Sequence, residues 1–96
     1  MIRVVRLHFH SEYRQQFLEL FQERKERIRH FPGCLHLELW EDQNHPAVFY
    51  TYSWWEDAAQ LEAYRLSDLF GETWQLVKDW FSEKPMAFSA NSLVTL

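Results

Sequence analysis

Apolar and polar residues alternate along two stretches of the chain, with the period of two that is typical of β-strands with unlike faces. The first stretch runs from Ile2 to His10 and the second from Cys34 to Glu41. A third stretch, Ala47 to Trp54, is rich in residues that suit a pleated surface, and Asp42 to Pro46 before it is typical of a turn. The pattern predicts a first strand followed, further along, by a β-hairpin.

Two other regions repeat apolar residues every three or four positions, which predicts helices. The first helix is expected to be capped by Ser11 and to end at Pro32-Gly33, because proline cannot continue a helix and glycine accepts a positive φ angle. A short helix is expected over Glu56 to Arg65, and another after the cap residues Ser67-Asp68.

The last helix is expected to stop at Pro85, and Met86 to Leu96 can then supply an edge-like strand. The resulting order, β-α-β-β-α-β, is that of the ferredoxin-like fold, an α+β arrangement with helices on one face of an antiparallel sheet. Because 96 residues suffice for one core and not for two, residues 1–96 are expected to form a single domain.

Strand alternation also assigns residues to the two faces of this sheet. The helices are expected to cover Val5, Leu7, Phe9, Leu35, Leu37, Leu39, Phe49 and Thr51. The opposite, open face is expected to carry Arg6, His8, His10, His36, Glu38, Trp40, Val48, Tyr50, Tyr52 and Trp54. This aromatic face forms an apolar patch larger than those that monomeric proteins usually expose to water. The sequence therefore predicts a homodimer related by a twofold axis, with the two open faces in contact. The predicted interface residues are His8, His10, His36, Trp40, Tyr50, Tyr52 and Trp54. The alternative is a solvated sheet whose Tyr and His tips reach water.

The composition of the chain argues against two classes of partner, nucleic acids and membranes. The net charge of −4 lacks the basic footprint of a nucleic-acid binder, and no window of about 18 apolar residues could cross a membrane. The chain begins with strand-like residues rather than a signal peptide, and its one cysteine, Cys34, cannot form an internal disulfide. These features predict a soluble cytoplasmic protein that binds neither nucleic acid nor membrane.

The aromatic content is high for so small a core, with eight Phe, five Trp and four Tyr residues. Some of these rings are therefore expected to line a ligand pocket or an interface, although each could also simply fill the core. The rings expected to face the space between sheet and helices are Tyr13, Phe17, Phe49, Trp55, Tyr64, Phe70 and Trp74.

Histidine and cysteine offer weaker candidates for chemistry. His8 and His10 on one strand could form half of a metal site, with His36 or Glu38 as a third ligand. No metal is expected, because the third ligand would be available only if the strand order or a dimer brought it close to the two histidines. Cys34 follows Pro-Gly with no basic cluster beside it, which favours a buried structural thiol over a nucleophile.

Three segments together resemble the antibiotic biosynthesis monooxygenase (ABM) domain family of dimeric α+β-barrel proteins. They are Phe31-Pro32-Gly33-Cys34-Leu35, Phe49-Tyr50-Thr51-Tyr52-Ser53-Trp54-Trp55-Glu56-Asp57 and Leu66-Ser67-Asp68-Leu69-Phe70. The resemblance covers nearly the whole chain. It implies a homodimer whose two sheets form a barrel, with a cavity for a small planar organic ligand in each subunit.

The resemblance also implies catalytic candidates, namely Trp55, Tyr64 and Trp74, with Tyr13, Phe17, Phe49 and Phe70 as pocket residues. Trp55 matches the tryptophan that borders the family's cavity, and Tyr64 stands where many members carry histidine. Trp74 stands where the haem-degrading branch has its iron-ligating histidine. An indole N–H cannot ligate iron, and strand one lacks that branch's asparagine, so no haem or other cofactor is expected.

The activity that the resemblance implies is a cofactor-independent monooxygenase acting on a small aromatic or quinol-type compound. Without metal or flavin, the substrate itself must become a stabilised, electron-donating anion in a dry cavity. Two alternatives stay open: a non-catalytic binding or stress-related module that uses the same cavity, and a proton-transfer isomerase of the same fold.

Overall fold

A computed structural model describes all 96 residues of the chain. In chain order the elements are β1 Ile2–His8, a 3-10 turn Ser11–Tyr13, α1 Arg14–Arg29, β2 Cys34–Glu41, β3 Val48–Trp55, α2 Ala58–Arg65, α3 Asp68–Val77 and β4 Met86–Ala90. The strands form one antiparallel sheet in the order β2-β3-β1-β4, which confirms the ferredoxin-like α+β prediction. No helix is both long and apolar enough to cross a membrane.

β1 lies inside the sheet, between β3 and the edge strand β4. Arg3, for example, is paired with Ser53 on one side and with Ser89 on the other. Val5 and Leu7 face the helices, together with Ala87 of β4. Alternation therefore turns the intervening residues of these strands toward the open face.

Polar side chains and one glycine set the ends of the helices, in part as predicted. Ser67 caps α3 by accepting a hydrogen bond from the Phe70 N–H at 3.2 Å, and Asp57 caps α2 in the same way. Gly33 has a φ angle of 90°, in the left-handed region that glycine adopts without strain. The prediction for Ser11 is wrong: the chain makes a 3-10 turn there, and α1 begins three residues later without a side-chain cap.

Three elements end earlier than the sequence predicted. β1 ends at His8, and beyond it Phe9 keeps only an isolated antiparallel bridge to Phe81. α3 ends at Val77 rather than near Pro85, because the chain must turn for Phe81 to reach Phe9. β4 ends at Ala90, where its pairing with β1 stops at Ile2.

Leu35 does not lie on the predicted face. A β-bulge between Cys34 and His36 shifts the alternation of β2, so that Cys34 is buried while Leu35 is 50% exposed. Val48 is paired with His8 and shares the open face with Tyr50, as predicted, although it is only 2% exposed.

The buried core consists of two separate clusters. The larger one contains Phe9, Phe17, Leu20, Phe49 and Val77. The smaller one contains Cys34, Trp55 and Leu61, with Phe31 and Tyr64 packed against it. Because the two clusters are separate, a space remains between them, on the side of the sheet that the helices cover.

Candidate functional site

A cavity of about 400 Å³ lies between the sheet and the helices, where the two core clusters face each other. Phe9, Phe17 and Val77 line it from the larger cluster, and Trp55 and Leu61 from the smaller one. Of the 21 residues that line the cavity, 15 are hydrophobic. Its volume and apolar walls are those of a site for a small organic molecule.

Most of the rings predicted for the pocket do line this cavity: Phe17, Trp55, Tyr64, Phe70 and Trp74. Tyr13 and Phe49 do not. Tyr13 stacks on Trp80, with ring centroids 5.6 Å apart. Phe49 is 1% exposed and is covered by Phe17 at 5.0 Å, so it belongs to the core below the cavity wall.

Trp55 forms a flat, rigid part of the wall. Its side chain is 1% exposed, and its Nε1–H donates a hydrogen bond to Ser53 Oγ at 3.0 Å. The ring of Tyr64 stacks on it, with centroids 5.1 Å apart and planes 28° apart. Because the indole N–H is already bonded, Trp55 offers a ligand its ring surface rather than a hydrogen-bond donor.

Tyr64 places a phenol in the same apolar wall, with Phe31 and Phe70 packed edge-on at 5.3 and 5.4 Å. The residue hydrogen-bonds within the chain through its backbone, and no side chain accepts from its hydroxyl. Burial, with a smaller contribution from Cys34, raises the pKa of Tyr64 to about 12. At neutral pH the hydroxyl therefore keeps its proton and can donate a hydrogen bond to a ligand.

Trp74 lies on α3, where it is 39% exposed and packs against Phe81, with ring centroids 5.6 Å apart. The neighbouring Thr73 also lines the cavity, but its hydroxyl donates to the Leu69 carbonyl and accepts from Arg24. These bonds fix α3 against α1 and leave Trp74 as the exposed ring of this wall.

Two arginines that sequence reasoning did not single out, Arg3 and Arg65, also line the cavity. Arg3 lies on the side of β1 that carries Val5 and Leu7, so extending the alternation by one step would have found it. Arg65 immediately follows Tyr64 at the end of α2, and its position depends on how the helix turns. Burial and the charge of Arg65 lower the pKa of Arg3.

The histidines do not line the cavity, and His8 contacts only His45 among them, with ring centroids 4.7 Å apart. His8 Nδ1 lies 3.1 Å from a Glu83 carboxylate oxygen, and His36 Nε2 lies 2.6 Å from one of Glu38. His10 follows the end of β1 and is exposed. No group of three or more His, Cys, Asp or Glu side chains is placed to hold a metal ion.

Cys34 is a buried thiol, as predicted, with a side chain packed beside Trp55 and Leu61. Burial raises the pKa of the Cys34 thiol, although the nearby His36 backbone and Arg29 act in the opposite direction. A protonated, enclosed thiol is a poor nucleophile.

The open face carries a continuous array of rings, most of them on β2 and β3. Trp40 stacks on Tyr52 at 4.8 Å, and Trp54 donates its Nε1–H to the Tyr52 hydroxyl at 2.7 Å. On the edge strand β4, Met86 and Phe88 extend this face and are 65% and 60% exposed. Of the predicted interface residues, only His10 lies outside the strands.

Comparisons with known proteins place these features in a family context. The family model for antibiotic biosynthesis monooxygenases matches residues 1–76. A candidate antibiotic biosynthesis monooxygenase from Nitrosomonas europaea is 16% identical, with 97% of this chain and 98% of that chain covered at a TM-score of 0.89. The crystal structure of an antibiotic biosynthesis monooxygenase is 23% identical, with coverage of 98% and 100% and a TM-score of 0.89. A candidate from Deinococcus radiodurans is 18% identical, with coverage of 99% and 96% and a TM-score of 0.85. No curated protein matches the chain.

Proposed function

The chain belongs to the antibiotic biosynthesis monooxygenase family, and from that premise we propose that it is a cofactor-independent monooxygenase of a small aromatic or quinol-type compound. The observation that carries the proposal is the free phenol of Tyr64, buried against Trp55 in the wall of an apolar cavity. A ring-shaped ligand would find flat walls and one hydrogen-bond donor there.

The reaction consumes dioxygen and needs no other oxidant. The quinol releases a proton to solvent, and its electron-rich anion gives an electron to dioxygen. The two radicals then combine at the ring carbon. In the overall balance a ring C–H of the quinol becomes C–OH and the ring is oxidised to a hydroxyquinone: one oxygen atom of dioxygen enters the substrate, and the other leaves as water with two hydrogens of the quinol.

Each wall residue has a separate part in this scheme. Tyr64 donates its O–H to the substrate oxygen on which negative charge develops, which stabilises the anion in a site of low dielectric constant. Trp55 and Trp74 hold the ring plane. The apolar lining excludes the water that would solvate the anion and quench its reactivity.

A second candidate function is binding without turnover. No carboxylate, histidine, cysteine or lysine lines the cavity, so the protein has no group there that could act as a general base near neutral pH. This lining supports a small-ligand-binding or stress-related module, and it disfavours a proton-transfer isomerase. A monooxygenase without a general base in its cavity requires a substrate that loses its proton readily by itself.

Oxygen uptake measured with a panel of quinols and catechols tests the proposal. We expect uptake above the protein-free rate, and a decrease of roughly tenfold or more in kcat for Tyr64→Phe, because one donor to the developing charge is lost. Tyr13→Phe removes a phenol that lies outside the cavity and is the matched control. Uptake at the background rate would favour the binding module, and substrate conversion without oxygen consumption would favour an isomerase.

We also propose that the protein is a homodimer joined through the open face, with His8, His36, Trp40, Tyr50, Tyr52 and Trp54 in the interface. The Nε1–H groups of Trp40 and Trp54 are bonded to Glu38 and Tyr52 of their own chain, so the face presents mainly ring surface. Such a surface is covered well by an apolar partner, and a second copy supplies one.

Sedimentation at micromolar concentration tests the dimer. The wild type is expected at twice the 11.8 kDa chain mass, and Tyr52→Lys at the monomer mass, because a charge would be buried in the interface. Leu66→Lys adds the same charge at an exposed position on the helical side, and this control variant should remain a dimer. A wild-type protein that sediments as a monomer would contradict the proposal.

A further inference from the structure

The cavity has a basic end that the monooxygenase proposal does not use. Arg3 lines the cavity from the start of β1, and its guanidinium makes one side-chain hydrogen bond, to Ser89 Oγ at 3.2 Å. It has no carboxylate partner: the arginines that form ion pairs are Arg6, Arg14, Arg24 and Arg65. Arg3 thus retains donors that no acidic group of the chain satisfies.

A second cation stands beside it. Arg65 lines the same cavity from the end of α2 and pairs with Glu62 of that helix at 3.1 Å. That pair is half exposed, so it contributes little and a ligand can compete for the guanidinium. Counting Glu62, this end of the cavity keeps one unbalanced positive charge.

The opposite end of the cavity is apolar. Phe9 lines it just beyond the end of β1, at the far end of that strand from Arg3. Phe17, Val77 and Phe81 surround that end. A ligand that fills the cavity would therefore meet charge at one end and rings at the other.

We propose that Arg3 and Arg65 bind a carboxylate of the ligand, and that the natural substrate is a planar aromatic acid whose ring lies against Trp55 and Tyr64. The identification of a substrate rests on the function proposed above. The fixed fork of a guanidinium suits a carboxylate, and a charge-assisted hydrogen bond is stronger than one between neutral groups. Arg3 and Arg65 are positioning residues here, since they hold the acid end and leave the reacting ring to Trp55 and Tyr64.

A matched pair of probes, 2-naphthoate and the neutral 2-naphthamide, tests the charge requirement. Calorimetric titration without oxygen measures binding alone, on the full chain. We expect 2-naphthoate to bind about tenfold or more tightly than 2-naphthamide, because only the acid forms charge-assisted hydrogen bonds. Arg3→Gln and Arg65→Gln should each remove most of that preference while changing 2-naphthamide affinity by no more than about twofold.

Two further variants control for folding and for net charge. Arg3→Lys keeps the charge without the fork and should retain part of the preference. Arg27→Gln removes one positive charge from the exposed surface of α1 and should change neither affinity. Circular dichroism of each variant checks that the sheet is intact.

Equal affinities for the two probes in the wild type would overturn the inference, as would a preference that survives in both glutamine variants, or no binding of either probe at millimolar concentration. The outcome is separate from that of the oxygen-uptake test. Preference for the acid with no oxygen uptake from any quinol would remove the monooxygenase and leave a carboxylate-binding site. Oxygen uptake without any preference for 2-naphthoate over 2-naphthamide would support the monooxygenase and remove the carboxylate-binding site.

Discussion

The burial of Tyr64 makes the stability of the protein depend on pH in the alkaline range. The pKa of its phenol is about 12 in the folded protein, against the ordinary value of 10.0. Between these values the unfolded chain loses the phenolic proton while the folded chain keeps it. The contribution of Tyr64 is therefore complete below about pH 10 and is lost progressively as the pH rises toward 12.

The size of this effect follows from the difference in pKa. Each unit is worth about 1.4 kcal/mol, so the wild type should lose roughly 1.4 kcal/mol by about pH 11 and up to about 2.7 kcal/mol above pH 12 from this one group. Tyr64→Phe cannot ionise and should lack this part of the loss. The expected signature is a difference in unfolding free energy between variant and wild type that is constant up to about pH 9 and then shifts in favour of the variant.

Urea unfolding followed by circular dichroism, at half-unit steps from neutral to alkaline pH, measures this difference. Ionisable groups that do not interact with Tyr64 are common to both proteins and cancel in the difference, and Cys34 contributes only the smaller part of the Tyr64 shift. Tyr13→Phe, which removes a phenol outside the cavity, is the control for the loss of one hydroxyl. Parallel curves for Tyr64→Phe and wild type over the whole range would refute the reasoning, because they would mean that the phenol is not shielded from water.

Other substitutions test local features of the fold. Gly33→Ala should lower the free energy of unfolding by about 2 kcal/mol or more, measured by urea titration, because φ is 90° and a Cβ would lie 2.4 Å from Gln60 Cβ. Wild-type stability in this variant would contradict the backbone geometry. Ser67→Ala should cost about 1 kcal/mol through the lost cap of α3, whereas Ser11→Ala, which removes no cap, should change thermal unfolding by less than about 0.5 kcal/mol. Equal effects of the two serine variants would argue against the cap.

Much of the fold could be predicted because caps, turns and strand alternation each locate an element without information from the rest of the chain. Ser67 caps α3, Gly33 ends the turn after α1, and the alternation of β2 gave its bounds without error. Ser11 has the chemistry of a cap but not the position, because the backbone forms a 3-10 turn before α1. The bulge after Cys34 leaves no local signal either, since it is set by pairing with β3.

The candidate site could be predicted only in part. The high aromatic content and the positions that the ABM resemblance implies together single out Trp55, Tyr64 and Trp74, and all three line the cavity. Phe49 shares the same face of the sheet, but Phe17 covers it, and that contact depends on how α1 lies across the strands. The charge at the end of the cavity depends on two arginines 62 positions apart in sequence, which no local pattern connects.

Because Gly33 has no side chain, α2 can pack closely against the turn after α1. Its carbonyl accepts a hydrogen bond from the Glu56 N–H, and Gln60 of α2 occupies the space that a Cβ would need. α2 also carries Tyr64 and Arg65, so a larger residue at position 33 would push the whole helix and displace both groups together. Selection could therefore alter which ligands fit by changing a surface turn, and a directed-evolution library should include this position alongside the wall itself.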